Sequence, residues 1–330
     1  MAENESRFRI LSFDGGPSVF TYIRLLQRIV KNLPSNNPSI LNNTDLLVGN
    51  SSGSFTAIYL AYQKQFYPNK SDLEIFDGLI EFMNKVLQES GGGIQAFLRG
   101  LLGQNTFFEE DGWEKLLEDE FGDVELLELE MPLAVISYRL QEVSEPHLYT
   151  NFGSGLDDPT NNIKVADLAL RSGSLPIVLP IHDSHVDGGM ASNNPALNGL
   201  MKLFHERKFD TGFKVPTLDE MTLMSMGADD PRFGRFMGTI QQPDDNSWGW
   251  VKWLGAQWQE WSPFKDFSEA QIGDIEQKYS DSSFNVLLLA ALWLNAMGQN
   301  VALQCRQLLN DGQFLRLALP MPQDFGSTLL

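Results

Sequence analysis

A serine between two glycines is the first feature of the chain that could do chemistry. Residues 48–55 read VGNSSGSF, so Ser51 stands in the spacing Gly49-x-Ser51-x-Gly53. An apolar stretch precedes the motif and a helical pattern follows it, which is the strand–turn–helix setting of a nucleophilic serine. A serine hydroxyl is a weak nucleophile until a base accepts its proton. The alternative interpretation of Ser51 is a helix N-cap that happens to have glycines nearby.

The tripeptide Asp-Gly-Gly occurs twice, at 14–16 and at 187–189. The first copy follows an apolar strand pattern, and the successive amides of Gly15 and Gly16 could hold the oxyanion of an acyl-transfer intermediate. The alternative for this copy is a tight strand-to-helix turn. In the second copy, Asp187 stands at a predicted strand end and could be a general base. The alternative for this copy is a surface turn.

Histidine is the usual base for a serine nucleophile, and the chain contains four histidines. His185 lies two residues before Asp187 and would share its strand face. His205 could complete a triad in the α/β-hydrolase order, after Ser51 and either Asp187 or Asp183. It lies in a helical pattern with basic neighbours, however, so the triad is kept as an alternative only. The remaining two histidines are His147 and His182.

The elements that would position these residues alternate between strand and helix. Apolar strand patterns occupy 9–13, 46–49, 131–140 and 221–226. Helical spacing is found at 19–30, at 55–62, through most of 72–121 and at 163–172. Two strand–turn–helix units in succession indicate a parallel sheet covered by helices. We therefore predict an α/β fold, a three-layer α/β/α arrangement with a mainly parallel central sheet, in a single domain over 1–330.

Composition excludes several functional classes. The net charge is −19, from 24 basic and 43 acidic side chains, which argues against nucleic acid as a partner and against broad adsorption to anionic lipid. No His/Cys metal pattern, no GxxxxGK phosphate loop and no GxGxxG motif is found, so neither a metal nor an organic cofactor is expected. The apolar segment 284–297 is too short to span a bilayer. The start of the chain lacks a signal-peptide pattern and Cys305 is the single cysteine, so we expect a cytoplasmic protein.

Three segments together resemble the patatin-like phospholipases, a family of lipid acyl hydrolases. They are RILSFDGGP, LLVGNSSGS and ALRSGSLPIVLPIHDSHVDGGMASNNPA; LMSMGADD also resembles the family, and CRQLLNDGQFLRLALP does so more weakly. The resemblance implies Ser51 as the nucleophile and Asp187 as its base, without a histidine. It also implies an oxyanion loop at Gly15 and Gly16, to which the amide of Ser52 would add a donor. The expected substrate is a lipid or another acyl ester, cleaved through an acyl-serine intermediate, with transient contact to a membrane surface.

One departure from the family pattern concerns the glycine loop. The family usually has Asp-Gly-Gly-Gly with an arginine shortly after it, whereas this chain has Pro17 at the third glycine and no arginine before Arg24. Proline has no N–H and cannot donate to an oxyanion. The departure motivates one alternative to a hydrolase, a catalytically weak lipid-binding or regulated effector protein. A second alternative is an acyltransferase, because the same residues would serve both reactions.

Five of the seven tryptophans fall between Trp248 and Trp261. We predict a Trp-rich helical segment at about 240–275. Its default role is core packing, and the alternatives are an interfacial belt or a wall or lid of the acyl groove.

Overall fold

A computed structural model describes residues 7–16, 19–35, 39–89, 110–176, 179–227 and 283–318. The strands are β1 (Phe8–Phe13), β2 (Leu46–Asn50), β3 (Leu133–Arg139), β4 (Glu145–Thr150), β5 (His185–Asp187), β6 (Met221–Gly227) and β7 (Phe314–Ala318). The α-helices are α1 (Val19–Lys31), α2 (Ser52–Phe66), α3 (Asp72–Glu89), α4 (Glu110–Phe121), α5 (Val165–Gly173), α6 (Ala196–Glu206) and α7 (Ser283–Leu308). Short 3-10 helices lie at Leu41–Asn43, Leu126–Glu128, Gly153–Asp157, Pro159–Asn161, Gly188–Met190 and Leu218–Glu220.

The strands form one sheet in the order β4-β3-β2-β1-β6-β7, with β5 beside β3. All neighbours along this order are parallel except β4, which runs antiparallel to β3. β5 also runs antiparallel to β3. Because β4 occupies one edge of β3 along its length, β5 must use the other edge, which β2 occupies only as far as Asn50. β5 therefore continues the line of β2 beyond its carboxyl end.

Two apolar layers sandwich the sheet. Strand residues alternate between them, since Leu11 and Phe13 of β1 face one layer and Ile10 faces the other. The first layer contains the buried faces of α1 to α5, and the second those of α6 and the last turns of α7. This is the predicted three-layer α/β/α arrangement with a mainly parallel central sheet.

The four predicted strands correspond to β1, β2, β3 and β6, and the predicted helices to α1 to α5. The segment 284–297 lies inside α7, which continues to Leu308. β4 was not predicted, because it is a partly exposed edge strand that contains Pro146. β5 is the strand predicted to end at Asp187, and it has only three residues.

The chain divides into two compact units, one formed by Met1–Ala228 with Met297–Leu330 and the other by Asp229–Ala296. The first unit contains the whole sheet. Of the second, only the first turns of α7 are described. The predicted Trp-rich segment at about 240–275 lies outside the described residues, and the single domain over 1–330 stays a prediction. Across the described ranges, no helix combines the length and the apolar character needed to cross a membrane.

Candidate active site

Ser51 lies on a strained turn between β2 and α2. Its backbone has φ 53° and ψ −126°, a left-handed conformation that is unusual for a residue other than glycine and costs about 1–3 kcal/mol. The two motif glycines permit this turn because side chains would not fit: a Cβ at Gly49 would be 2.5 Å from the Gly53 carbonyl oxygen. A Cβ at Gly53 would be 2.1 Å from the Phe13 carbonyl oxygen. The motif therefore builds the exposed turn that a nucleophilic serine requires.

Ser172, near the end of α5, holds the backbone of this turn through its hydroxyl group. Its hydroxyl accepts a hydrogen bond from the Ser51 amide at 3.0 Å and donates to the Ile136 carbonyl of β3 at 2.7 Å. On the other side, the Ser51 carbonyl accepts from the Ser54 amide at 2.8 Å as α2 begins. The backbone of Ser51 is thus held by a strand, a helix and its own following turn. Sequence reasoning did not identify Ser172, although it lies in the segment ALRSGSLP that resembles the family.

The register of the sheet brings Asp187 beside Ser51. Asn50, the last residue of β2, pairs with Ile136, and the next residue of β3, Ser137, pairs with Asp187. β2 ends at Asn50, and the chain leaves the edge of β3 at Ser51. Asp187 therefore occupies the next position along that edge of β3. Two residues 136 positions apart in the sequence are adjacent because β5 takes over the edge that β2 leaves.

The Asp187 carboxyl group is buried, with 2 % of the residue exposed. Burial raises its pKa from 3.8 to about 6, and the Ser51 hydroxyl, the Gly189 amide and the Asn50 side chain each lower it in part. The Gly189 amide donates to one carboxylate oxygen at 2.6 Å. The Asp187 amide donates to the Ser174 carbonyl at 2.9 Å, which fixes the backbone of the turn. A carboxylate with a raised pKa beside a serine hydroxyl is chemically suited to accept its proton.

The glycine loop after β1 lies against the serine turn. An ideal Cβ at Gly15 would be 2.8 Å from the Ser51 Cβ, so only glycine fits there. The Gly15 amide donates to the Asn193 carbonyl at 3.1 Å. Gly16 has φ +97°, and its carbonyl accepts from the Ser52 hydroxyl at 2.6 Å. Pro17 lies outside the described residues.

The amides of Gly16 and Ser52 differ from that of Gly15. In the described part of the chain, the Gly16 amide donates to no acceptor. Ser52 is the first residue of α2, and the first amides of a helix have no acceptor within the helix. Of the three predicted oxyanion donors, the Gly15 amide is thus engaged by Asn193. Within the described residues, the Gly16 and Ser52 amides remain able to donate a hydrogen bond to a ligand.

An ion pair buried beneath the glycine loop joins Asp14 to Arg316 of β7. The guanidinium donates to both carboxylate oxygens, at 2.8 and 2.6 Å, and also to the Ser225 hydroxyl at 2.8 Å. The Asp14 amide donates to the Met226 carbonyl at 2.9 Å. Sequence reasoning missed Arg316; its only signal was a single basic residue in the apolar strand FLRLA.

The histidines occupy other environments. His185 contacts the Tyr149 hydroxyl through Nε2 at 3.0 Å and the Asp183 carbonyl through Nδ1 at 2.7 Å. Burial lowers its pKa. His147 lies 3.2 Å from the Thr160 hydroxyl, and burial lowers its pKa to about 4. His182 faces Asp167, and the exposed His205 packs its ring on Phe209.

Neither a candidate metal site nor the cavity described here includes Ser51 within the described residues. In the ranges that the structure covers, no group of three or more His, Cys, Asp or Glu side chains could hold a metal ion. A cavity of about 330 Å³ lies on one face of β1, β6 and β7, where Leu11, Met224 and Leu315 line it. None of the predicted site residues lines this cavity.

The chain is similar to a family model and to several known proteins. The chain matches the family model described as Patatin-like phospholipase over residues 11–199. It is 27 % identical to the protein CotR of Bacillus subtilis over 74 % of this chain and 68 % of that relative. It is 26 % identical to Protein teg of Priestia megaterium over 74 % of this chain and 69 % of that relative. It is 24 % identical to Patatin-like protein 2 of Arabidopsis thaliana over 60 % and 53 % of the two chains.

Two solved structures are more distant. The Legionella pneumophila protein VipD matches with a TM-score of 0.40 and 12 % identity over 99 % of this chain and 65 % of that one. Human GIVD cytosolic phospholipase A2 matches with a TM-score of 0.28 and 17 % identity, over 46 % of this chain and 23 % of that one. The family model spans the end of β1, β2 to β5 and both Asp-Gly-Gly motifs, which is more than half of the chain. On that match, the chain belongs to the patatin-like phospholipase family.

Proposed function

We propose that the chain hydrolyses carboxylic esters of lipids, with Ser51 as the nucleophile and Asp187 as the general base. The observation that carries the proposal is the sheet register, which places a buried carboxyl of raised pKa beside a serine on a strained turn. At neutral pH a group with a pKa of about 6 is mostly ionised, yet it is a stronger base than an exposed aspartate. Family membership supports a lipid substrate.

The reaction would proceed in two steps. First, Asp187 accepts the Ser51 proton while Oγ forms a bond to the ester carbonyl carbon, and the alcohol leaves with the proton that Asp187 returns. Second, water attacks the acyl-serine, gives a proton to Asp187 and releases the fatty acid, and the proton then passes back to Ser51. Asp187 thus acts as base and acid in turn, which requires no histidine.

The oxyanion that forms in both steps needs N–H donors. We assign this role to the amides of Gly16 and Ser52, because the Gly15 amide already donates to Asn193. Gly15 would then serve close packing against Ser51, where a side chain would not fit. Loss of one such donor typically lowers the rate on the order of 10²–10³-fold.

Labelling with a fluorophosphonate, read by intact mass, tests the nucleophile directly. The wild-type protein should gain one phosphonate, and Ser51→Ala should gain none. Ser144→Ala, an exposed serine in the β3–β4 turn, is the matched control and should label like the wild type. Labelling of Ser51→Ala at the wild-type rate would contradict the proposal.

Product analysis separates hydrolysis from the acyltransferase alternative. With a phospholipid in detergent micelles and added glycerol, a hydrolase releases free fatty acid, whereas a transferase forms acylglycerol. We expect fatty acid as the main product. A cytoplasmic location and transient membrane contact remain predictions, which fractionation of the producing cells would check.

A further inference from the structure

Asn50, the residue before the proposed nucleophile, is buried without hydrogen-bond partners. It is the last residue of β2, and none of its surface is exposed. Neither the Oδ1 nor the Nδ2 atom of its carboxamide makes a hydrogen bond within the described structure. Such groups are rare in native proteins because each one gives up its hydrogen bonds to water. An unpaired carboxamide next to a reactive serine therefore requires an explanation.

The carboxamide fills the space between the two glycine motifs. Its Nδ2 lies 2.8 Å from the point where a Cβ on Gly15 would sit, and its Oδ1 lies 2.4 Å from the corresponding point at Gly188. A Cβ on Gly189 would lie 3.4 Å from Asn50 Nδ2 and 2.9 Å from Asp187 Oδ1. The amide nitrogen and the Asp187 carboxyl group thus lie next to the same glycine.

We infer that Asn50 is a positioning residue for Asp187: when this carboxyl is ionised, the Asn50 carboxamide, which makes no hydrogen bond in the structure, turns to donate its N–H to it and holds it toward Ser51. The inference rests on the proposed role of Asp187 as the base. An ionised carboxylate has more acceptor sites than the bonds from the Gly189 amide and the Ser51 hydroxyl use, and an asparagine can fill one without adding charge. Nδ2 is inaccessible to solvent, so a partner within the protein is favoured over a substrate oxygen.

Such a donor stabilises the charged form of Asp187 more than its neutral form. It therefore opposes the effect of burial, and Asn50 does lower the pKa of this carboxyl. The consequence is a base that is strong because it is buried, yet still ionised at neutral pH. Removal of the donor should shift ionisation of Asp187 to higher pH.

Two substitutions separate the donor from the volume of the side chain. Asn50→Leu keeps a similar volume and removes the N–H, and Asn50→Asp is nearly isosteric but adds a like charge. The control is Asn151→Ala, a buried asparagine whose side chain binds backbone groups at the amino end of β3, away from Asp187. This control shows how the loss of buried hydrogen bonds elsewhere in the sheet affects the labelling rate and its pH dependence.

The first measurement is the rate of fluorophosphonate labelling of Ser51 between pH 4.5 and 9. A rise of about one unit in the pKa of Asp187 predicts about tenfold slower labelling of Asn50→Leu at pH 5 and nearly unchanged labelling at pH 8. Asn50→Asp should shift the acidic limb at least as far, because two carboxylates then share the site. Asn151→Ala should keep the wild-type limb.

The second measurement does not depend on catalysis. The stability of each protein is compared with that of its Asp187→Asn counterpart across the same pH range. The slope of this difference against pH falls as Asp187 ionises in the folded protein, and the midpoint of that fall gives the folded-state pKa of Asp187. An upward shift in both measurements supports the inference. An unshifted midpoint in Asn50→Leu, or labelling reduced equally at all pH values, would overturn it. Absence of labelling in the wild type would contradict the proposed function, and the stability midpoint would still decide the role of Asn50.

Discussion

At the scale of single residues, burial makes the Asp187 carboxylate a stronger base and lowers the stability of the folded protein at neutral pH. Its folded-state pKa of about 6 exceeds the ordinary 3.8, so the folded protein binds this proton more tightly than the unfolded chain does. The folded state therefore has the full benefit below about pH 4, and this benefit is lost as the pH rises through about 6. At neutral pH the ionised carboxyl is a net burden on folding.

Replacement of this carboxyl by an uncharged isostere should stabilise the protein at neutral pH. Asp187→Asn is expected to raise the free energy of unfolding by about 3 kcal/mol at pH 7.5, and by almost nothing at pH 4. Urea unfolding at the two pH values measures the difference. Asp157→Asn, an exposed carboxyl, serves as control and should show no such pH dependence. A destabilised Asp187→Asn at pH 7.5 would show that the charge is better solvated than its burial indicates.

Sequence reasoning reaches some residues of the site and misses others for a physical reason. Ser51 and Asp187 stand in short motifs whose local chain geometry is recognisable from spacing. Asn50, Ser172 and Arg316 matter only through the groups that the tertiary structure places beside them. A serine in a helix or an arginine in a strand has no local signal of its partner, so these residues become visible only once the register is known.

At the scale of elements, the end of α5 supports the serine turn. The Ser172 hydroxyl links the Ser51 amide to the Ile136 carbonyl, so its removal leaves both backbone groups without that partner. The helix thereby couples β3 to the strained turn. α5 consequently supports the proposed active site, although none of its side chains is proposed to touch the substrate.

Truncation of this hydroxyl should affect both stability and reactivity. Ser172→Ala is expected to lose about 1–3 kcal/mol of unfolding free energy, as is typical for buried groups left unpaired. Labelling of Ser51 should slow as well, because the turn can relax from its strained conformation. Thermal unfolding and the labelling rate measure the two effects, with Ser144→Ala as the exposed control. Equal labelling rates for Ser172→Ala and the wild type would show that the remaining bonds suffice to hold the turn.

The arrangement of strands was predicted where the apolar pattern is strong. β1, β2, β3 and β6 are buried over most of their length, and their patterns gave the parallel sheet. β4 and β5 pair antiparallel on the two edges of β3, and β5 is too short to have a pattern of its own. The strand that carries the proposed base was thus predicted only by its end at Asp187, because its pairing partners and not its composition define it.

At the scale of the whole molecule, the site depends on chain far outside the matched family region. The match ends at residue 199, whereas Asp14 is paired with Arg316, whose side chain is 3 % exposed. A Cβ on Gly227, at the end of β6, would be 2.1 Å from an Asp14 carboxylate oxygen. The end of β6 therefore also packs directly against this ion pair. β6 and β7 therefore support the glycine loop, and a fragment that ends at residue 199 would leave Asp14 without this arginine.

Loss of Arg316 should be severe and partly reversible by a second change. Arg316→Met leaves the Asp14 carboxylate buried without its guanidinium, which typically costs about 3–5 kcal/mol. The double variant Asp14→Asn with Arg316→Met should recover part of this loss. Urea unfolding measures both, and Arg28→Met, an exposed arginine on α1, is the control. No recovery in the double variant would mean that Arg316 acts mainly through its bond to Ser225.

The engaged amide of Gly15 and the available amide of Gly16 are consecutive in the chain, and this difference should be visible without any substrate. The hydrogen bond to Asn193 should protect the Gly15 amide from exchange with deuterated solvent, while the Gly16 amide exchanges freely. Formation of a phosphonate adduct on Ser51 would bring an oxygen to the second amide and slow its exchange selectively. Occupancy of the proposed active site would thus be detected as slower exchange of the Gly16 amide hydrogen, next to a Gly15 amide hydrogen that is protected in both states.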